Sequence, residues 1–148
     1  MIKLKTFGVY IFGGSQSIAH LQCGHDVTHI LEMTEDMIDN NSYHFVKNYP
    51  NIPVLKPSEW NDDNYLEKLR GEEYDLVFAN NPCSGLSSIN RNAKSDQPIN
   101  NRFFEVFSVI SKTLPKTFLI ENAPTLVSLG TPILQDMIKL LGNNYTFT

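Results

Sequence analysis

The stretch that determines the fold of this protein is Leu76-Val77-Phe78-Ala79, followed after Asn80 by Asn81-Pro82-Cys83-Ser84-Gly85-Leu86-Ser87-Ser88-Ile89-Asn90-Arg91. The first four residues are apolar and β-prone, so they predict a buried strand. The loop that follows sets one cysteine between a proline and small residues. In α/β proteins, reactive groups are placed in loops at the carboxyl ends of such strands. Cys83 is therefore the first candidate for a functional group.

A second segment repeats this arrangement further along the chain. Thr117-Phe118-Leu119-Ile120 predicts another buried strand, and Glu121-Asn122-Ala123-Pro124 follows it. A thiol and a carboxylate that each end a core strand can face a single crevice, because parallel strands end at the same edge of a sheet. We therefore predict an active site that contains Cys83 and Glu121.

The composition is that of an ordinary globular domain. The 148 residues are 41% hydrophobic and 19% charged, which suits a single domain of common size. No apolar run approaches the roughly 20 residues needed to span a bilayer, and the first residues carry no signal-peptide pattern. Two cysteines, Cys23 and Cys83, are too few for a disulfide framework. These features predict no membrane partner and a reducing, cytoplasmic location.

Charge is distributed unevenly along the chain, although the net charge is only −4. Residues 26–75 carry an excess of acidic side chains, whereas residues 84–117 carry more basic than acidic ones. Positive charge around the cysteine loop would steer an anionic substrate toward it. Chance variation in surface charge is the alternative explanation.

The predicted elements alternate between strand and helix. The predicted strands are Phe7–Phe12, Val27–Leu31, Asp75–Ala79 and Thr117–Ile120, with a further short strand within residues 51–61. The predicted helices are Ser15–Cys23, Thr34–Asn48, Asp62–Arg70, Ile99–Leu114 and Thr131–Leu141. This alternation predicts an α/β fold with a doubly wound, mostly parallel sheet. Residues 145–147 would begin a sixth strand, so we expect a domain that is cut short.

Two loops of this predicted sheet have functional features. Residues 80–98 form a polar loop long enough to suggest a function of its own. Gly13-Gly14-Ser15 lies between the first strand and the first helix, and Glu32 ends the second strand. Glycines permit close backbone approach, the helix start offers free N–H groups, and a carboxylate at this spacing can reach ribose hydroxyls. A tight turn and an ordinary surface glutamate would give the same pattern.

Several interpretations of the thiol and the carboxylate remain open from the residues alone. A free cysteine is most often a small buried hydrophobe. A metal site is disfavoured because no second cysteine or histidine stands at ligand spacing from Cys83. A cysteine protease is disfavoured because no histidine follows Cys83 in the chain. A thiolate nucleophile assisted by an acid remains, and Glu121 is either that acid or a carboxylate that caps a loop.

These segments together resemble one known family. The stretch Asn81–Ser87 is similar to the Pro-Pro-Cys-Gln-Gly-Phe-Ser signature of the C5 cytosine-specific DNA methyltransferases, and Glu121-Asn122-Ala123 is similar to their Glu-Asn-Val. Asp96 with Asn100–Phe104 resembles the segment that opens a helix in the family, and Gly24–Glu32 falls at the spacing of another motif. The resemblance covers nearly the whole chain and implies a Rossmann-like fold of the S-adenosylmethionine-dependent type.

The resemblance also implies a mechanism. Cys83 would add to C6 of cytosine, and the activated ring would take a methyl group from S-adenosylmethionine at C5. Glu121 would hold and protonate the ring at N3. The target base would be flipped out of the DNA duplex, with the loop of residues 80–98 closing over it. We expect no metal.

The remaining site residues are assigned from the same resemblance. The residues expected to bind the cofactor are Phe12, Gly13, Gly14, Glu32, Met33, Asn80, Pro82 and Asn101. The residues expected to contact the substrate are Ser84, Gly85, Ser87, Arg91 and Asn122.

The chain departs from the family pattern in places. Asn81 replaces the first proline, Ser84 replaces glutamine, and Tyr10–Ser15 only partly matches the family's Phe-x-Gly-x-Gly-Gly. The family's Gln-x-Arg-x-Arg segment, recognition domain and closing Gly-Asn segment have no counterpart before Thr148. We therefore expect weak DNA binding by this chain alone, and the need for a C-terminal part or a second subunit.

The expected organisation is a single partial catalytic domain over residues 1–148. Residues 1–79 would form the cofactor half, and residues 80–148 would carry the catalytic loop and the glutamate strand. A catalytically inactive methyltransferase-like subunit or binding module is the alternative function. A methyltransferase acting on RNA cytosine is a third possibility, which the order of the Pro-Cys and Glu-Asn-Ala motifs disfavours.

Overall fold

A five-stranded, entirely parallel sheet organises the computed structural model, which describes residues 2–36 and 38–148. The order of the strands across the sheet is β3-β2-β1-β4-β5. Their bounds are β1 Lys5–Val9, β2 Asp26–Leu31, β3 Val54–Leu55, β4 Leu76–Asn80 and β5 Thr117–Glu121. The α/β fold with a doubly wound parallel sheet is thus confirmed.

Six α-helices connect and cover these strands in the described part of the chain. Their bounds are α1 Ser15–Gln22, α2 Tyr43–Asn48, α3 Pro57–Trp60, α4 Asp63–Arg70, α5 Arg102–Thr113 and α6 Thr131–Leu141. Two short 3₁₀ helices, Pro98–Asn101 and Pro124–Val127, precede α5 and α6. Within the described residues, none of the helices combines the length and apolarity that crossing a bilayer requires.

Hydrophobic clusters lie on both faces of the sheet, because successive side chains of a strand point to opposite faces. In β4, Val77 and Ala79 join the larger cluster with α4, α5 and α6, whereas Phe78 joins the smaller cluster beside α1 and α2. Gly8 of β1 leaves room for the Phe78 ring, since a Cβ on Gly8 would lie 2.6 Å from Phe78 Cε2. Both faces of β1 and β4 are therefore closed by packing.

The winding of the chain reverses between β1 and β4. These strands are hydrogen-bonded neighbours, but the chain runs from β1 toward β2 on one side and from β4 toward β5 on the other. The connecting segments therefore diverge at the carboxyl ends of β1 and β4 and leave a crevice between them. Such a reversal is the usual ligand site of open α/β sheets.

Two predicted elements are shorter than the sequence suggested. The first strand ends at Val9 rather than Phe12, because the backbone turns through positive φ at Tyr10 (59°) and Phe12 (49°). The predicted helix Thr34–Asn48 was wrong over its first half, since α2 covers only Tyr43–Asn48. Met37, which falls in that predicted helix, lies outside the described residues.

Side-chain contacts explain the shorter second helix. Glu35, expected in the first helical turn, instead accepts a hydrogen bond from the backbone N–H of Ser58 at 3.0 Å. Ser42 directs its hydroxyl to the Phe12 carbonyl oxygen, 2.9 Å away, and to a Glu32 carboxylate oxygen, 3.0 Å away. This segment therefore bridges the ends of β1 and β2 rather than forming a regular helix.

The expected sixth strand was also wrong within the described residues. Residues 145–147 pair with no strand there, and the Tyr145 and Phe147 rings pack instead against Phe118 of β5. The Tyr145 hydroxyl donates a hydrogen bond to the Pro115 carbonyl at 2.7 Å. Side-chain packing thus fixes this segment without a backbone ladder. The division into cofactor and catalytic halves stays a prediction.

One buried histidine in the core makes the stability of the fold depend on pH. His29 of β2 is 6% exposed and stacks on Phe7 at 4.8 Å, and burial lowers its pKa from 6.5 to about 4. The folded state thus binds fewer protons than the unfolded chain between these values. The contribution of the neutral His29 ring to the free energy of unfolding is therefore complete above pH 6.5, and it is lost as the pH falls toward 4.

The variant His29→Phe should remove this contribution while keeping the stacked ring. We expect the wild-type protein to lose about 3 kcal/mol more unfolding free energy than the variant between pH 7 and pH 4. Urea denaturation at both pH values measures the difference. The exposed residue His44 provides the control, because His44→Phe should keep the wild-type pH dependence. Equal losses in the wild type and His29→Phe would contradict the assignment.

Candidate active site

A cleft of about 570 Å³ opens at the carboxyl ends of β1, β4 and β5. It lies at the reversal between β1 and β4, between the glycine turn and the start of the cysteine loop. The residues that line it come from three segments of the chain and are Ile11, Phe12, Gly13, Ser15, Gln16, Asn80, Asn81, Cys83 and Glu121. Five of these are predicted site residues, namely Phe12, Gly13, Asn80, Cys83 and Glu121.

Strand pairing brings the thiol and the carboxylate to the same cleft. Asn80 and Glu121 are opposite each other in the register of β4 and β5, and Cys83 follows shortly after β4 ends. Both Cys83 and Glu121 have exposed side chains. The interpretation of Cys83 as a buried hydrophobe is therefore wrong, and both groups are accessible to a ligand.

The cysteine loop is ordered by its own hydrogen bonds. The carbonyl of Cys83 accepts from the backbone N–H groups of Leu86 (2.9 Å) and Ser87 (2.8 Å). The side-chain amide of Asn100, just before α5, donates to the carbonyls of Lys94 (2.9 Å) and Ser95 (3.0 Å). The loop is thus folded tightly at Cys83 and fastened to the start of α5 at its far end.

Gly85 has a structural role in this loop. A Cβ on Gly85 would lie 2.3 Å from Oδ1 of Asn100, which is itself buried. Close approach between the loop and Asn100 therefore requires glycine at this position. Its predicted contact with the substrate stays a prediction.

The two glycines of the turn after β1 have different environments. Gly14 has φ of +85°, and a Cβ there would lie 2.6 Å from the Phe45 ring. Gly13 is exposed and lines the cleft, and a Cβ on it would meet nothing within 4 Å. Gly14 therefore gives the turn its conformation on the side that packs against Phe45, whereas Gly13 faces the cleft.

Glu32 lies at the end of β2 but is almost completely buried, with 1% of its surface exposed. One carboxylate oxygen accepts hydrogen bonds from Ile11 N–H (3.1 Å) and the Ser42 hydroxyl (3.0 Å), and the other from Met33 N–H (3.1 Å). Burial raises the pKa of Glu32, and these hydrogen bonds act in the opposite direction. Glu32 therefore braces the glycine turn, and its predicted contact with a ribose stays a prediction.

The other predicted residues lie around the cleft rather than in its lining. Asn122 is half-buried, and its side-chain amide donates to the Asn81 carbonyl at 3.0 Å, which ties the end of β5 to the cysteine loop. Met33 and Pro82 are buried. The predicted residues that reach the surface of the loop or of the segment before α5 are Ser84, Ser87, Arg91 and Asn101. Their contacts with cofactor or substrate stay predictions.

Four lining residues were missed by the sequence interpretation. Ile11, Ser15, Gln16 and Asn81 flank predicted site residues, but only Asn81 carried a signal, as a departure from the family pattern. Gln16 lies on the first turn of α1, which the glycine turn directs toward the cleft. Its position could have been expected once the helix start was placed there.

The positive charge of the cysteine-loop region is largely neutralised by ion pairs. Lys94 pairs with Asp96, Arg102 with Glu105, Lys112 with Asp63 and Lys116 with Asp75. Exposed pairs of this kind contribute little stability, but they reduce the field that a substrate would meet. The exposed Arg91 takes no part in these four pairs. The excess of basic residues is therefore a weaker steering feature than the sequence suggested.

Two further observations narrow the location of the site. Among residues 2–36 and 38–148, histidine, cysteine and carboxylate side chains form no group of three or more that could hold a metal ion. A second cavity, of about 440 Å³, lies between β5, α6 and the last residues and is lined largely by apolar side chains. Its lining contains neither a cysteine nor an acidic side chain. The chemistry is thus concentrated in the cleft beside Cys83.

Comparison with known proteins identifies the family. The sequence model of the family described as C-5 cytosine-specific DNA methylase matches residues 18–146, which is most of the chain. The protein belongs to this family. The chain is 32% identical over 83 residues to the Type II methyltransferase M1.HphI of Haemophilus parahaemolyticus. That alignment covers 53% of this chain and 22% of the length of the relative.

The difference between the two glycines of the turn is testable by alanine substitution. Gly14→Ala should lower the free energy of unfolding by about 1–3 kcal/mol for two reasons. The new methyl group would collide with the Phe45 ring, and alanine is strained at the positive φ of this position. Gly13→Ala should change it by less than about 0.5 kcal/mol, since the methyl group enters open space. Urea denaturation measures both values. Equal losses would show that the two positions are equivalent.

Proposed function

We propose that this chain carries the catalytic centre of a DNA cytosine-C5 methyltransferase that uses S-adenosylmethionine and a covalent bond between Cys83 and the base. The observation that carries the proposal is that the thiol of Cys83, the carboxylate of Glu121 and the glycine turn line one cleft. Membership of the C-5 cytosine-specific DNA methylase family supports it.

The cleft suits S-adenosylmethionine in size and in chemistry. Its volume falls within the roughly 300–1,000 Å³ of typical small-molecule pockets. The exposed Gly13 allows close approach to the backbone, and the first N–H groups of α1 have no partner within the helix. Phe12, Gly13 and Asn80 would contact the cofactor directly, with Gly14 and Glu32 supporting the turn. When bound, the cofactor would supply an electrophilic methyl group.

The cysteine would activate the base. The C5 carbon of cytosine is a poor nucleophile, because the ring is aromatic and electron-poor. The Cys83 thiolate would form a bond from Sγ to C6, which moves electron density to C5. After methyl transfer to C5, loss of the C5 proton would re-form the double bond and release the thiolate. The cysteine would thus be regenerated in each cycle.

The glutamate would stabilise the charge that this addition creates. Glu121, at the end of β5, would act in its protonated form and donate a proton or a hydrogen bond at N3 of the ring, so that negative charge does not accumulate there. Its exposed position in the cleft leaves the carboxylate accessible to a base. The Asn122 amide, bonded to the Asn81 carbonyl, would hold the end of β5 beside the cysteine loop.

The DNA would deliver the base in an extruded conformation, because C6 is inaccessible inside a duplex. Ser84, Ser87 and the exposed Arg91 lie on the loop after Cys83, where they would contact the extruded nucleotide and its phosphates. The fastening of this loop at Asn100 would position it over the base.

We propose that the parts of the enzyme that recognise DNA lie outside this domain. The chain spans 22% of the length of the relative it matches. We propose that DNA recognition requires a further segment or a second subunit, and that the enzyme acts in restriction–modification as a methyltransferase of the Type II class. The cytoplasmic location stays a prediction.

Trapping on 5-fluorocytosine tests the nucleophile. A single-stranded oligonucleotide that carries this base, with S-adenosylmethionine, should form a stable adduct, because fluorine at C5 prevents the elimination that frees the thiolate. Mass spectrometry should locate the adduct at Cys83, and Cys83→Ala should abolish it. The other exposed cysteine is the matched control, so Cys23→Ala should still react. An adduct formed by Cys83→Ala, or a wild-type adduct located at a residue other than Cys83, would refute the proposal.

The same adduct reports on the acid. Glu121→Gln should slow its formation by about 10²- to 10⁴-fold, the usual contribution of a positioned acid or base, because the amide cannot transfer the N3 proton. Glu67→Gln, on the exposed side of α4, serves as the control and should react at the wild-type rate. If the two variants reacted equally fast, Glu121 would have no role in activating the ring.

A further inference from the structure

Two side-chain amides in the cleft have buried atoms without partners. Asn81 is 2% exposed, and neither its Oδ1 nor its Nδ2 has a hydrogen-bond partner among the described residues. Oε1 of Gln16 is likewise buried without a partner in that part of the chain. Both residues line the cleft that contains Cys83 and Glu121.

Such groups rarely remain unsatisfied in folded proteins. Buried polar side-chain atoms nearly always have a hydrogen-bond partner, because leaving them without one forfeits their hydration. Packing alone would favour an apolar residue at position 81. The buried amide with both polar atoms unpartnered therefore indicates a ligand that completes its hydrogen bonds.

The position of Gln16 indicates the chemistry of that ligand. Gln16 lies on the first turn of α1, whose N–H groups and dipole attract a carboxylate. Its free side-chain atom is an oxygen, which accepts a hydrogen bond and attracts a cation. An acceptor beside an anion site suits a zwitterion, in which an ammonium and a carboxylate share one carbon atom. A cytosine ring carries no carboxylate and does not match this combination.

We propose that the side-chain amides of Asn81 and Gln16 bind the amino-acid end of the methyl donor. The proposal rests on the proposed function of this cleft. Oδ1 of Asn81 and Oε1 of Gln16 accept hydrogen bonds from the ammonium group, and the first N–H groups of α1 and Nδ2 of Asn81 donate to the carboxylate. These residues position the cofactor, and they form no bond to the transferred methyl group.

The test separates the amino-acid end from the rest of the ligand. Isothermal titration calorimetry measures the binding of S-adenosylhomocysteine and of 5′-methylthioadenosine, which lacks the amino-acid end, to the 148-residue protein. Asn81→Leu and Gln16→Met remove the amides while nearly preserving side-chain volume. Asn64→Leu and Gln22→Met are matched controls at exposed positions, the latter on the same helix. Thermal unfolding establishes that each variant is folded.

Each cleft variant should weaken S-adenosylhomocysteine binding by about tenfold or more, since hydrogen bonds to charged groups are lost. The affinity for 5′-methylthioadenosine should change less than about threefold, and the controls should bind both ligands normally. Unchanged S-adenosylhomocysteine binding in the variants, or equal losses for both ligands, would overturn this inference alone. If the wild type bound neither ligand at millimolar concentration, the proposed use of this cofactor would fail as well.

Discussion

The parallel pairing of β4 with β1 on one side and β5 on the other is the constraint on which the site depends. The register sets Asn80 opposite Glu121, so that the cysteine loop and the glutamate leave the sheet at the same point. Pairing with β1 places the glycine turn on the other side of the crevice. Because β4 is buried on both faces, this arrangement is held by the core rather than by the loops.

A second buried interaction shapes the turn itself. The carboxylate of Glu32 accepts hydrogen bonds from the backbone of Ile11 and Met33 and from Ser42, and it thereby connects β1, β2 and the segment before α2. The Phe45 ring occupies the space beside Gly14. The cleft surface of the turn is formed by Gly13, Ser15 and Gln16, so buried support and cleft lining are divided between the two faces of one short segment.

The sequence predicted the sheet, the cysteine loop and the pairing of Cys83 with Glu121, because each depends on a local apolar run that ends in polar or small residues. It could not predict that Glu32 is buried, since that follows from a contact with Ser42 made by the folded chain. The helix from Thr34 was predicted wrongly because Glu35 is used in a tertiary hydrogen bond. The burial of Asn81 follows from tertiary packing, which no local pattern specifies.

We propose that the crevice between β1 and β4 is the cofactor site. The decisive measurement is two-dimensional ¹⁵N–¹H NMR with S-adenosylhomocysteine, because each backbone amide reports on ligand proximity. We expect the largest shifts among the backbone amides of residues 12–17 and 80–84, with little change along α6. Shifts confined to the apolar cavity beside Phe118 and Phe147, with none at the glycine turn, would contradict it.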